Sequence, residues 1–272
     1  MRIIESLLQG KVSEEKCEDG IIATDGLVAV IDGSTSKTPM SMVSGMTNGR
    51  AAMLSVKDTI RRMHPLRPLK DFCMMATMDI MKIYRACGYT LRDLRKHPEW
   101  RLTASVALLS ITRREVWLIG DCQCIVGGKH YDNPKPEEER IAGHRSEIIT
   151  RMLSTGEATI EDLLEHDSAR DVIVGDIAKT CGRQNIDFSV VDGFPIAIGK
   201  VKVVPLGGCR EVVLATDGYP LLYPTLHESE EALARLLKED PLCYRCFKAT
   251  KGLKGGLSSF DDRAYVRVEI EA

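Results

Sequence analysis

The sequence predicts an α+β sandwich folded as one domain over residues 1–272, and three observations carry that prediction. Near-continuous apolar runs at 103–112 and 115–121 call for strands buried on both faces, hence a sheet with a further layer over it. Strand blocks alternate with helix blocks, and neither a repeat nor a low-complexity linker divides them. A hydrophobic content of 44% in a chain of this length is enough for one large core or two modest ones.

Taken in order, residues 1–10 hold one Arg and a short mixed run of Ile and Leu broken by Glu5, too short and too polar for a secretory signal. Apolar runs at 21–24 and 27–31 flank Asp25-Gly26, which predicts a hairpin whose two-residue turn uses positive φ angles. Its second strand delivers Asp32-Gly33. A Ser/Thr-rich loop follows over 34–44. Ala51, Ala52, Leu54, Val56 and Ile60 predict a helix over 47–63, and a second helix over 69–87 opens after Pro68 and stops at Gly88. The two apolar runs, joined by Arg113-Arg114, form another hairpin with Trp117 in its core; Cys122 and Cys124 alternate along a strand as small core residues. A polar loop over 130–140 leads to helices at 141–154, 159–165 and 169–180. Strands are expected at 188–191, 201–206 and 211–216, helices at 229–238 and 242–249, and a last strand at 264–270. The helical segment over 130–183 is placed like a flap over a site, where substrate selectivity would reside.

With 37 basic and 39 acidic side chains the formal net charge is −2, which gives a nucleic acid no bulk attraction. No stretch approaches the ~20 apolar residues of a membrane span. Nine cysteines, without a secretory signal, read as reduced thiols in a cytoplasmic protein, and Cys243 and Cys246 as two thiols on one helix face.

The chemistry lies in four acidic signatures at or near strand ends: Glu18-Asp19-Gly20, Asp32-Gly33, Asp217-Gly218 and Asp261-Asp262. Brought to one point, they would hold hard divalent cations through carboxylate and carbonyl oxygens. Hydrolysis of phosphate monoesters is among the slowest uncatalysed reactions. Two cations about 4 Å apart can activate water and neutralise both the phosphoryl oxygens and the leaving group. Asp25-Gly26 and Asp192-Gly193, by contrast, read as plain turns.

The order Glu18-Asp19, VAVIDG (28–33), TASVALL (103–109), VWLIGDCQ (116–123), VVLATDG (212–218) and SSFDDRA (258–264) resembles the metal-dependent Ser/Thr protein phosphatases of the 2C (PPM) type, in particular bacterial members. The segment 156–173 also looks like a helix of those members, and the match runs from about Glu18 to Val268. The resemblance implies a four-layer α-β-β-α sandwich with two central, mostly antiparallel sheets. It also implies hydrolysis of phosphomonoesters, phospho-Ser/Thr in proteins among them, by attack of a metal-bridging water. Asp32 would bridge two Mg2+ or Mn2+ ions with the Gly33 carbonyl as an added ligand. Asp217 and Asp261 would complete one metal, Glu18 would serve the other with Asp19 in support, and Asp121 with Asp217 would hold a third.

Two departures concern the phosphate. Ser34 stands where the family commonly has a His general acid, and a serine does not donate a proton near neutral pH. The phosphate-binding Arg before Glu-Asp is missing, leaving Lys16, Lys37, Arg50 and Ser34 as replacements. Asp262 also replaces the usual Asn. Two other readings compete: a domain of the same fold that binds a partner without catalysis, and a phosphotransferase of the actin fold, which VAVIDGSTSKT resembles. Neither a particular substrate nor an oligomeric state follows from the sequence.

Overall fold

The computed structural model describes residues 1–271. Ten strands form two five-stranded sheets in which every pairing is antiparallel. The first sheet runs β2 (Asp19–Ala23), β3 (Leu27–Gly33), β4 (Ala104–Ser110), β5 (Glu115–Ile119) and β8 (Lys202–Pro205). The second runs β1 (Arg2–Gln9), β10 (Arg263–Glu269), β9 (Glu211–Ala215), β6 (Gln123–Val126) and β7 (Lys129–Tyr131).

Alternate residues of β3 and β4 face opposite cores, which is why their sequences lack a polar face. Val28, Val30, Ala107 and Leu109 meet Val212, Leu214, Val266 and Val268 between the sheets. From the other face, Ala29, Ile31, Val106 and Leu108 pack on α1 (Asn48–Arg62) and α2 (Leu69–Ala86) through Ala52, Val56, Ile60, Phe72 and Ile80. Trp117 is fully buried there beside Phe72. Beyond the second sheet, Leu226 of α7 (Leu226–Glu239) packs near Tyr219 and Tyr265. The result is the expected four-layer α-β-β-α sandwich. A short α3 (Leu91–Lys96) follows α2, and α4 (Glu138–Thr155), α5 (Ile160–Glu165) and α6 (Ser168–Cys181) build a separate small core with Leu242.

Several local expectations need correction. Residues 2–9 form a strand, β1, which pairs only with β10; its largely exposed, mixed pattern hid it. The strand expected at 188–191 is reduced to isolated bridges, Ala104 to Val191 and Gln184 to Phe188. No helix forms at 242–249. There the Asp240 carboxylate accepts the backbone N–H groups of Tyr244, Arg245 and Cys246, a local alternative to helical bonding, and Cys243 takes φ 48°. Cys243 is therefore buried and Cys246 exposed, and all nine cysteines are free thiols. The turn at Asp25-Gly26 closes where expected, with Thr24 N donating to Leu27 O at 2.8 Å, yet neither turn residue takes a left-handed φ. Among the described residues, no helix is long and apolar enough to cross a membrane.

Candidate metal centre

Strand register brings the acids together. Asp19 opens β2 directly opposite Asp32 near the end of β3, and Asp32 lies opposite Ser105 in β4. After β5 the chain turns at Gly120 with φ 77°, where a Cβ would stand 2.2 Å from Ser105 Oγ; only glycine permits that turn. It leaves Asp121 accepting from Ser105 Oγ at 2.5 Å. In the second sheet Thr216 N donates to Ala264 O, so Asp217 leaves β9 beside Asp261-Asp262 at the start of β10. Gly218 lets the two segments touch, since a Cβ there would come within 2.1 Å of Asp262 O.

Carboxylate oxygens of Asp32, Asp121 and Asp217 consequently lie within 4.8 Å of one another. Asp261, expected to share a cation with Asp32 and Asp217, lies outside that group of three and pairs with Lys11 Nζ at 3.0 Å and with Lys251. Lys135 pairs with Asp121. Glu18 accepts from Thr47 Oγ1 at 2.6 Å and from Thr35 Oγ1 at 2.9 Å, which ties it to the N-terminus of α1. Asp262 is a structural acceptor: Oδ1 takes Lys11 N at 2.7 Å and Oδ2 takes Glu18 N at 3.0 Å. An Asn there would present an amide donor to one of those N–H groups, which accounts for Asp at this position.

Burial, then the charges of Asp217 and Asp121, push the Asp32 carboxyl well above the usual carboxylate range. Asp217 is raised by burial and then by Asp121 and Asp261, Asp19 by burial and then by Asp32. Burial also opposes ionisation of Asp121, but the Lys135 ammonium outweighs it and holds Asp121 below the usual range. Burial is likewise outweighed at Asp261 by Lys251 and Lys11. Asp19 is only 3% exposed, and its Oδ2 has no hydrogen-bond partner. A buried orphan oxygen beside three converging carboxylates is a donor set that suits a hard divalent cation.

The centre opens into a cleft lined by Asp32, Asp217 and Asp261 and by Ile141, Arg170 and Ile177 of the helical segment. Ser34 and Lys37 line the same cleft, and no histidine does among the described residues. Gly33 is buried, its N–H donating to Glu18 O at 3.1 Å. Two proposed phosphate ligands fall elsewhere. Lys16 is exposed and lies outside the cleft. Arg50 Nη1 donates to Cys17 O at 2.6 Å and Glu14 O at 3.4 Å, so its guanidinium braces the loop before β2 on the wall of a different cavity. Sequence reasoning missed Lys11, Lys135, Arg170 and Lys251. Lys11 and Lys251 are near acidic signatures in sequence, but loop lysines show no periodicity that would have marked them.

No protein-family model matches the chain, and no curated protein matches it. Solved structures do. The PPM Ser-Thr phosphatase MsPP from Mycobacterium smegmatis, in complex with cacodylate, matches at 13% identity over 100% of both chains with a TM-score of 0.44. PppA, described as a key regulatory component of the type VI secretion system in Pseudomonas aeruginosa, matches at 15% identity over 99% of this chain and 97% of its own with a TM-score of 0.46. The catalytic domain of the serine/threonine protein phosphatase PstP in complex with two manganese ions matches at 13% identity, 99% and 98% coverage and a TM-score of 0.45. The chain is similar to these structures over essentially its whole length, at low identity.

Proposed function

We propose that this protein is a metal-dependent phosphomonoester hydrolase of the PPM type, acting on phospho-Ser/Thr side chains of proteins or on small phosphate esters. The observation that carries the proposal is the convergence of Asp32, Asp121 and Asp217 within 4.8 Å beside the orphan Asp19 oxygen. Asp32, Asp121 and Asp217 would hold the cation, with Asp19, Glu18, Asp261 and the Gly33 carbonyl available to a second. Counted as fully ionised, as cation binding would favour, seven carboxylates, these six and Asp262, against the three paired lysines give a formal charge of −4, the amount two divalent cations neutralise. Mg2+ or Mn2+, when bound, supplies Lewis acidity for water activation and charge neutralisation at phosphorus.

The protein's own groups do the rest. Ser105 and Lys135 fix the orientation of Asp121, and Thr35 and Thr47 fix Glu18. Ser34 is no general acid near neutral pH, so protonation of the leaving group would fall to water in the cleft. Nine free thiols suit a reducing cytoplasm.

Hydrolysis of p-nitrophenyl phosphate should require Mn2+ and stop on chelation. Asp32→Ala and Asp217→Ala should each abolish it. Each should also weaken Mn2+ binding, measured by calorimetry, by more than the roughly 10–100-fold that loss of an outer supporting group costs. A wild-type protein that takes up no Mn2+ would sink this reading in favour of a non-catalytic binding domain.

A further inference from the structure

The cleft contains two cations that make no close ion pair. Lys37 Nζ donates to the Thr35 carbonyl at 2.7 Å and Arg170 Nη1 to the Thr250 carbonyl, and neither enters an ion pair among the described residues. Lys11, Lys135 and Lys251, the other lysines at the centre, are all engaged by Asp or Glu. Both unpaired side chains line the cleft with Asp32, Asp217 and Asp261. They come from different elements, Lys37 from the loop after β3 and Arg170 from the first turn of α6.

Each is held at an energetic disadvantage. Burial, and then the charges of Lys251 and Lys135, lower the Lys37 ammonium to about 8, with Arg170 adding to the same effect. Arg170 lies where the helix dipole disfavours a cation, and burial lowers its basicity as well, outweighing the charge of Asp167. Its bond to Thr250 O fixes the guanidinium one residue from Lys251, which touches Asp261. Local rules broken together at one cleft indicate a function rather than a structural role. An anion bound between the two side chains would relieve both.

We propose that Lys37 and Arg170 together grip the phosphoryl oxygens of a phosphomonoester dianion and hold it over the acidic centre, taking the place of the missing arginine before Glu18. The identity of the anion as a substrate phosphate rests on the phosphatase reading. Two positive charges match the dianion, and a guanidinium offers the paired N–H geometry that phosphate oxygens accept. Because one member belongs to the helical segment, binding would draw α6 and the loop after β3 onto the same ligand.

The test is a calorimetric titration of inorganic phosphate into the Mg2+-loaded protein, with a separate Mg2+ titration of each variant. Lys37→Met and Arg170→Met should each weaken phosphate binding by about tenfold to a hundredfold, the worth of a hydrogen bond to a charged group. Mg2+ affinity should be unchanged, and Lys82→Met, on the far side of α2, should be neutral. Arg170→Lys, which keeps the charge and the fold, should fall between wild type and Arg170→Met. Equal phosphate affinity in wild type and both Met variants, or no phosphate binding by the wild type, would overturn the proposal. If no Mg2+ is taken up, the phosphatase reading fails, and the same phosphate comparison on the metal-free protein still decides whether this grip exists.

Discussion

Asp192 shows how a carboxylate in this chain can be structural at a cost. It is fully buried, and its oxygens accept Arg101 Nη1 at 3.1 Å, Asn185 Nδ2 at 2.8 Å and Phe194 N at 2.9 Å. Burial nonetheless outweighs those partners and raises its pKa to about 6 from 3.8. A carboxyl whose folded pKa is raised contributes stability at low pH that is lost as pH rises through the folded value. Across this window the change is about 3 kcal/mol. Urea unfolding of wild type and Asp192→Asn at pH 4 and pH 7.5 should show the wild type losing about that much relative to the variant; parallel pH profiles would refute it. At this scale the sequence was legible where an acid sits at a strand end, because register then dictates its neighbours, as for Asp32 opposite Asp19. Asp192 reads only as a turn residue because its charged partner, Arg101, comes from a segment remote in the chain, and Lys251 sits in a loop without periodicity although its partner Asp261 is close in sequence.

Among the elements, Arg145 of α4 is the main tie between the helical segment and the loop that replaces the expected helix at 242–249. Its side chain is fully buried; Nε and Nη2 donate to Asp167 Oδ2 at 2.9 and 2.6 Å, and Nη1 to the carbonyls of Leu242, Cys243 and Ala249. That loop leads directly into Thr250 and Lys251 at the cleft. Arg145→Met leaves Asp167 Oδ2 and the carbonyls of Leu242 and Ala249 without their side-chain donor, and breaking a buried pair costs about 3–5 kcal/mol. The variant should lose stability of that order in urea, and amide exchange should speed up over 242–251 more than in β3 or β4. Uniform acceleration would argue against a local tie. Long amphipathic helices such as α1 and α2 could be read from periodicity alone. The segment 242–249 misled because its apolar residues have helical spacing while Asp240 satisfies the backbone in another way.

For the whole molecule, the decisive property is that the centre draws on both sheets. Asp19, Asp32 and Asp121 belong to strand ends of the first, Asp217 and Asp261 to those of the second. A cation that binds only this arrangement stabilises the folded state by mass action, by about 2.7 kcal/mol at a free concentration one hundred times its Kd. Thermal unfolding should therefore move upward with Mn2+ in the wild type and stay fixed in Asp217→Ala; a shift of equal size in both would place the ion elsewhere. A sheet with a further layer over it was legible from the doubly buried strands; the four-layer count followed only from the family resemblance, and the relative placement of the two sheets was not legible, being set by side-chain packing between them.

That placement has a further meaning. A strand advances about 3.3 Å per residue, and the oxygens of Asp32, Asp121 and Asp217 span no more than 4.8 Å. One residue of slip between the sheets would scatter them. The ion-binding site is thus a gauge of how the two sheets are seated, and it reads the fit of Val30 against Leu214 in the interior as sensitively as it reads its own ligands.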